Sequence, residues 1–117
     1  MQGLEARVKL WWEKDGKLVF SDYRAELLRA IRDTGSLAEA AGQLGLSYRR
    51  AWGKIREIES NLGQPLVESR RGGASGGRSR LTSLGESLLA DFEAQLSTLT
   101  DAAGVRPATT RGERARE

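Results

Sequence analysis

Apolar residues recur with a helical period in four separate stretches of this chain, and each stretch predicts a helix. The first predicted helix follows Ser21 or Asp22, either of which can cap it, and it ends near Thr34-Gly35. Its inward-facing positions are Leu27, Leu28 and Ile31. Because these side chains fall on one face, we expect that face to pack against a core and the opposite face to meet water.

Two further predicted helices are separated only by a tight break at residues 45–47. Ser36 caps the second helix, and Ser47 caps the third, which runs from Tyr48 to about Leu62 and ends at Gly63. The inward faces consist of Leu37, Ala40, Ala41 and Leu44 in the second helix and of Ala51, Ile55, Ile58 and Leu62 in the third. The small alanines predict a close approach between these helices.

Two other stretches have the pattern of β-hairpins. Residues 5–20 alternate loosely around Asp15-Gly16, a strong turn signal. We expect this hairpin to cover part of the core or to add to a subunit contact. Residues 66–69 and 81–82 predict a second hairpin, whose tip is the basic, glycine-rich sequence RRGGASGGRSR at positions 70–80.

A fourth predicted helix runs from Ser83, its cap, to about Ala103. Its apolar stripe consists of Leu84, Leu88, Phe92, Leu96 and Leu99. The stripe can close the core of one copy, and in so small a domain we also expect it to form the contact between two copies.

The predicted organisation is an N-terminal hairpin over residues 1–21, a helical domain over 22–103 and a tail over 104–117. The tail holds almost nothing to bury and is predicted to be disordered. The fold class is therefore mainly α with a small β component.

Composition narrows the chemistry available to the chain. Its 117 residues can form one modest core, and they include no cysteine and no histidine. The commonest metal ligand and general base are therefore missing, and the carboxylates of Glu57 and Glu59 lie on a helix flank without a partner base. We expect a protein that is not an enzyme and needs no cofactor. Because no apolar run reaches membrane-spanning length and no signal-peptide pattern is present, we expect a cytoplasmic protein without membrane contact.

Positive charge is concentrated in one part of the chain. The net charge is only +3, but residues 47–82 carry eight Lys and Arg against three Glu, whereas residues 83–103 carry four acidic residues and no basic one. Basic clusters attract polyanions, and nucleic acid above all, although a solvated surface of mixed charge is the simpler interpretation.

The first turn of the third helix carries two adjacent arginines, Arg49 and Arg50. Cations are unfavourable there because the helix dipole makes its N-terminus partly positive, so we expect an external anion to face them. Two helices joined by a tight turn, with a hairpin after the second, form a winged helix-turn-helix, whose second helix enters the major groove of DNA. The residues predicted to contact double-stranded DNA are Ser36, Ser47, Tyr48, Arg49, Arg50, Gly53, Lys54, Arg56, Arg70, Arg71, Arg78 and Arg80.

Several of these residues have a second interpretation. Gly53 either lets the helix lie deeper in the groove or reflects neutral drift. Tyr48 and Trp52 are more often packing residues than base-stacking groups, and Ser47 is a cap before it is a base reader. The glycine-rich tip is either a wing that touches phosphates or the minor groove, or a flexible linker. A basic winged helix can also dock an acidic protein, so an interaction module is the alternative to a DNA-binding regulator.

Residues 36–69, SLAEAAGQLGLSYRRAWGKIREIESNLGQPLVES, resemble the helix-turn-helix of LysR-type bacterial regulators, in which an L-G-x-P-L motif precedes the wing. More closely, GLSYRRAW and LVESRRGGASGGRSRLTSLGESLL are similar to the N-terminal DNA-binding domain of ModE-type molybdate-responsive regulators. That domain begins its recognition helix with Ser-Tyr-x-x-Ala-Trp and has a glycine-rich wing that leads into Leu-Thr-x-x-Gly. The resemblance covers roughly residues 25–96.

The resemblance implies a dimeric transcriptional regulator that binds a palindromic operator, with molybdate-related genes as its targets. Carried over by motif, the start of the recognition helix falls on Ser47, Tyr48, Arg49 and Arg50, and the wing on Arg70, Arg71, Arg78 and Arg80. In that family a separate C-terminal domain binds molybdate. This chain ends after the fourth predicted helix, either as a segment of a longer protein or as a stand-alone version, so we expect no small-molecule effector site within it.

Overall fold

Helices dominate the fold, and short strands complete it. The computed structural model describes residues 2–70 and 77–108. Its helices are α1 (Asp22–Thr34), α2 (Leu37–Gln43), α3 (Tyr48–Leu62) and α4 (Ser83–Ala103). Its strands are β1 (Arg7–Val8), β2 (Trp11–Lys14), β3 (Lys17–Ser21), β4 (Val67–Arg70), β5 (Arg78–Leu81) and β6 (Arg106–Pro107). The strands pair two by two, β1 with β6, β2 with β3 and β4 with β5, so the predicted fold class is confirmed.

Hydroxyl side chains define the helix starts. The Oγ atoms of Ser21, Ser36 and Ser47 each accept a hydrogen bond, at 3.1 to 3.3 Å, from the backbone N–H three residues further on. The predicted caps of α1, α2 and α3 are therefore confirmed. Helix α4 departs from the prediction, because Thr82 Oγ1 caps it at 3.0 Å and Ser83 is its first internal residue.

The first three helices enclose one core, as their apolar stripes predict. Large side chains that are fully buried include Tyr23, Leu27, Leu28, Ile31, Leu37, Ile55 and Ile58. Small residues line the approach between α2 and α3, where Ala40, Ala41 and Ala51 are also buried. In the tight break between these helices, the N–H of Leu46 donates to the carbonyl of Ala41 at 2.8 Å. The break therefore fixes the angle between the two helices through a backbone bond.

The N-terminal hairpin is shorter than the sequence predicts. Its turn is Asp15-Gly16, as predicted, and both residues have positive φ (53° and 76°), which suits a two-residue hairpin turn. Its strands are β2 and β3, so the hairpin begins at Trp11 and not at Glu5. Residues Arg7–Val8 form β1, which pairs elsewhere.

Strand β1 pairs in parallel with β6, the strand that follows α4 in the chain. Arg7 and Val8 lie opposite Arg106 and Pro107. The sequence places Arg106 and Pro107 in a disordered tail, and for these two residues the prediction is corrected. A two-residue parallel ladder depends on pairing across almost the whole chain, which no local pattern reveals. The remaining tail residues, 109–117, lie outside the described ranges.

Three aromatic rings fasten the N-terminal hairpin to the core. The rings of Trp12, Phe20 and Phe92 contact one another with centroids 5.3 to 5.7 Å apart. The indole Nε1 of Trp12 also donates to Gln95 Oε1 at 2.6 Å. The hairpin therefore covers part of the core, which is the first of its two predicted roles.

The apolar stripe of α4 faces mostly inward. Phe92 is only 1% exposed, so the prediction that it contacts a second copy is corrected, because its ring already fills the core of its own chain. Leu84, Leu88 and Leu96 pack partly buried against that core, whereas Leu99 is 40% exposed. Within the ranges that the structure describes, no helix is long and apolar enough to cross a bilayer.

Polar contacts from the N-terminal hairpin hold the C-terminal end of α3. Lys14 Nζ donates to the carbonyl of Leu62 at 2.8 Å. Asn61 Nδ2 donates to the carbonyl of Leu18, also at 2.8 Å. A cation at a helix C-terminus is favourable, because the last carbonyls carry partial negative charge. The hairpin thus stabilises the end of α3 that lies away from its arginines.

A buried arginine ties α1 to the same part of α3. The side chain of Arg24 is 3% exposed, and its guanidinium lies 3.2 Å from the carboxylate of Glu57. The same guanidinium donates to the carbonyl of Leu18 at 3.2 Å. Because a buried guanidinium must be paired, this contact fixes α3 relative to both α1 and β3.

Gly85 allows α4 to start close to the chain that precedes the wing strands. A Cβ at this position would clash with the backbone carbonyl oxygen of Leu66. We therefore expect Gly85→Ala to lower the free energy of unfolding by about 1–3 kcal/mol, because backbone must shift to admit the methyl group. Urea denaturation followed by circular dichroism measures the change.

Gly53→Ala is the matched control, because a Cβ at Gly53 would meet nothing within 4 Å. This change should raise the free energy of unfolding by up to about 1 kcal/mol, the helix propensity gained in replacing a mid-helix glycine. Equal stability of the two variants would contradict the proposed close contact at Gly85.

Candidate nucleic-acid interface

The first turn of α3 presents uncompensated positive charge to solvent. Tyr48, Arg49 and Arg50 are all exposed, and Ser47 precedes them as the helix cap. Among the described residues, neither the Arg49 nor the Arg50 guanidinium takes part in an ion pair or hydrogen bond. The helix carries no acidic residue in this turn. These cations therefore face both the helix dipole and each other without a protein anion to offset them.

The outer face of α3 continues this surface along the helix. Gly53 and Arg56 are exposed and lie opposite the buried positions Ala51 and Ile55. The guanidinium carbon of Arg56 lies 5.7 Å from the ring centroid of Trp52, within cation–π range. Trp52 therefore restrains the Arg56 side chain on this flank of the helix.

The two aromatic residues of α3 differ in their surroundings. Trp52 is partly buried and packs against the core, in line with the packing interpretation. Tyr48 is 53% exposed and does not belong to the core, so it is not a core-packing residue in this chain. Sequence periodicity could not separate the two, because both lie on the same shoulder of the helix.

Lys54 does not belong to the exposed basic surface, and its prediction as a DNA contact is corrected. The residue is only 6% exposed, and its Nζ lies 5.6 Å from the ring centroid of Tyr23. Its place in the helix explains this, because Lys54 is flanked by the buried residues Ala51, Ile55 and Ile58. A positive charge alone is therefore not enough to predict a DNA contact, because the helical position of Lys54 lies on the core side of α3.

The wing is the β4–β5 hairpin, and it carries arginines on both strands. Arg70 lies opposite Arg78, and both side chains are exposed. Arg80 lies opposite Glu68, and its Nε donates to that carboxylate at 2.9 Å. Arg80 is therefore partly neutralised, whereas Arg70 and Arg78 are not paired within the described ranges. The predicted wing residue Arg71 lies outside those ranges.

Hydrogen bonds to backbone groups of the wing attach it to the helix-turn-helix. The carboxylate of Glu59, near the end of α3, accepts from the N–H groups of Leu66 and Val67 at 2.7 and 3.1 Å. On the other strand, the N–H of Ser79 donates to the carbonyl of Gly35 at 2.9 Å. Both wing strands are thus tied to the body that carries α3, so the wing has a fixed position at its base.

An open cleft of about 690 Å³ separates α3 from the wing. Tyr48 and Trp52 form its helix side, and Arg70 and Arg78 form its wing side. Ser36, the cap of α2, also lines the cleft. Of the predicted DNA contacts, the cleft therefore brings together Ser36, Tyr48, Arg70 and Arg78. The other predicted contacts on α3, at its cap and on β5 do not line it: Ser47, Arg49, Arg50, Gly53, Arg56 and Arg80.

The positioning groups of this surface were missed by sequence reasoning. The sequence places Glu57 and Glu59 on a helix flank without a partner base and indicates no structural role for either. In the structure Glu59 holds the wing, and Glu57 pairs with the buried Arg24. The only signal available was a carboxylate placed just before the helix stop at Gly63, which many solvent-exposed helices share. In the part of the chain that the structure describes, no group of three or more acidic side chains could hold a metal ion.

Comparison with known proteins identifies relatives of this chain. The sequence profile of bacterial regulatory helix-turn-helix proteins, lysR family, matches residues 24–86. The molybdenum-pterin-binding protein MopA of Rhodobacter capsulatus is 43% identical over 82 residues, which are 70% of this chain and 31% of MopA. The DNA-binding transcriptional dual regulator ModE of Escherichia coli K12 is 35% identical over 86 residues, 74% of this chain and 33% of that protein.

A solved structure shares the fold. The DNA-binding domain of CbnR, crystallised in complex with DNA, aligns with a TM-score of 0.52 and 22% identity, covering 80% of this chain and 94% of that chain. The resemblance to LysR-type and ModE-type DNA-binding domains is thus confirmed. The chain spans about a third of the length of the curated relatives that it matches.

Glu59→Gln tests the attachment of the wing. The neutral amide can no longer make two charge-assisted bonds to the N–H groups of Leu66 and Val67, so we expect the free energy of unfolding to fall by about 1–3 kcal/mol. Asp91→Asn on the exposed face of α4 is the matched control, because Asp91 makes no polar contact within the described ranges. Urea denaturation measures the free energy of unfolding of both variants. An equal small change in both would contradict the proposed attachment of the wing through Glu59.

Proposed function

Because the chain belongs to the bacterial regulatory helix-turn-helix proteins of the lysR family, we propose that it is a transcriptional regulator that binds a palindromic DNA operator as a homodimer. The observation that carries the proposal is the pair of uncompensated guanidinium groups, Arg49 and Arg50, on the first turn of α3. DNA supplies the missing anions, and the first turn of a recognition helix is the part that reaches base edges in the major groove. Arginine suits this place because its planar fork bonds guanine at two atoms.

The wing adds a second, less sequence-specific contact. Arg70 and Arg78 lie opposite each other beside the cleft, at a position where they can meet phosphates or the minor groove next to α3. We assign Arg80 a smaller share, because Glu68 already accepts from its guanidinium. Specificity thus comes from α3, and the wing contributes mainly affinity.

Helix α4 is the proposed site of dimerisation. It is 21 residues long, and its stripe continues past the core to the exposed side chain of Leu99. The remaining candidates are Leu84, Leu88, Leu96 and Leu99, without the buried Phe92. A homodimer that reads a palindromic operator needs its two copies of α3 about 34 Å apart, one turn of B-form DNA.

The proposed targets are genes connected with molybdenum metabolism. This part of the proposal is supported by the identity with MopA, which is named a molybdenum-pterin-binding protein, and by the resemblance of the sequence to ModE-type molybdate-responsive regulators. The effector site of the relatives is no part of the proposal, because the chain matches only about a third of their length.

Selection of bound fragments from a random pool of duplex DNA tests the proposed function. We expect enrichment of an inverted repeat whose half-sites lie about one helical turn, or a multiple of it, apart. Enrichment of single half-sites would contradict the dimer. If no sequence is enriched and the protein elutes from DNA resin at low salt, the regulator proposal fails and the acidic-protein docking module becomes the better interpretation.

Arg49→Ala and Arg50→Ala should each weaken binding to the selected operator by about 1–3 kcal/mol and bring its affinity closer to that for scrambled DNA. Loss of a bidentate contact to guanine removes discrimination as well as charge. Arg106→Ala, an exposed arginine in β6, is the control for a simple change in net charge. Fluorescence anisotropy titrations measure all four proteins, and wild-type affinity in both variants would refute the assigned role.

Gly53→Ala should have opposite effects on folding and on DNA binding. The added methyl meets nothing within the protein and favours the helix, so stability rises. On the groove-facing side of α3 the same methyl would hold the helix away from the bases, so we expect operator affinity to fall at least about tenfold. Unchanged operator affinity would instead support neutral drift at this position.

A further inference from the structure

Tyr48 is an exposed aromatic residue in an unusual place. In the described ranges the large hydrophobic residues with at least 40% exposure are Leu4, Trp11, Tyr48 and Leu99. Tyr48 differs from the other three because it lies on the first turn of α3, directly beside Arg49 and at the mouth of the cleft.

The fold does not explain why an aromatic ring stands here. Within the part of the chain that the structure describes, the Tyr48 hydroxyl has no hydrogen-bond partner and its ring contacts no other aromatic ring. The start of α3 is fixed by the Ser47 cap and by the buried side chain of Ala51. The ring is therefore exposed and available for a contact with a molecule outside this chain.

The position of Tyr48 on the helix indicates what it meets. Arg49 and Gly53 lie at the centre of the outer face, whereas Tyr48 lies on the shoulder that faces the wing. In the major groove the 5-methyl group of thymine is the apolar feature of the base edges, and it projects on the side of its own strand rather than at the centre of the groove. A ring on the shoulder of the helix is suited to that methyl group, just as the arginine at the centre is suited to guanine.

We propose that Tyr48 reads a thymine in each half-site by packing its ring against the 5-methyl group. The inference rests on the proposed function and adds the base type that this residue selects. The ring does not need to stack between bases, so the DNA need not be kinked at this step. Trp52 lies one turn further on and holds Arg56, which leaves Tyr48 as the apolar reader.

Replacement of thymine by deoxyuridine removes the methyl group and leaves the pairing edge unchanged. Each thymine of the selected operator is replaced in turn, symmetrically in both half-sites, and the affinity is measured by anisotropy. For the wild-type protein we expect one position at which the change costs about fourfold per half-site, the value for burial of one methyl-sized group.

Tyr48→Ala should bind the thymine operator more weakly and should lose the methyl effect at that one position. Tyr48→Phe should keep the methyl effect, because the contact needs the ring and not the hydroxyl. Trp11→Ala removes an aromatic residue of similar exposure (50%) from β2 and should leave the whole scan unchanged. Thermal unfolding of each variant shows whether it is folded under the assay conditions.

Three outcomes would overturn the inference. The wild-type scan could show no methyl effect at any position, or Tyr48→Ala could keep the methyl effect that the wild-type protein shows. Tyr48→Phe could also lose as much affinity as Tyr48→Ala, which would indicate a contact between the hydroxyl and a phosphate. Failure of the wild-type protein to select any operator is a different result, because it refutes the proposed function before the scan begins.

Discussion

Helix α3 has to be held rigidly while its first turn and its outer face stay exposed to solvent. The chain meets both requirements by confining support to one face and one end. The buried side chains of Ala51, Ile55 and Ile58 fix the inner face, and Lys14 and Asn61 fix the C-terminal end. Arg49 and Arg50 on the first turn of α3 have no paired anion among the residues that the structure describes, which is locally unfavourable. A bound polyanion would relieve this electrostatic repulsion, so the repulsion favours polyanion binding at this surface.

The wing obeys the same constraint, since it must lie beside α3 without covering it. Glu59 and Ser79 hold the base of both wing strands through bonds to or from backbone groups. Because these bonds already fix the base of the wing relative to α3, little conformational entropy is lost there when a ligand bridges the helix and the wing. Arg70 and Arg78 are exposed further along the two wing strands.

Local signals in the sequence predicted most of this architecture. The caps at Ser21, Ser36 and Ser47 and the apolar stripes depend on near neighbours, and they were predicted correctly. Features that depend on distant contacts were not predicted. The charge of Lys54 suggests a DNA contact, although its side chain lies over the Tyr23 ring in the structure. The burial of Phe92 depends on its contacts with Trp12 and Phe20 of the N-terminal hairpin. The assignment of individual side chains to DNA remains a prediction.

The parallel ladder between β1 and β6 makes the two ends of the described chain mechanically dependent on each other. The N–H of Ala108 donates to the carbonyl of Val8 at 2.7 Å, so a segment attached after residue 108 starts from a strand that the N-terminus helps to hold. Clipping the first eight residues would therefore loosen the opposite terminus.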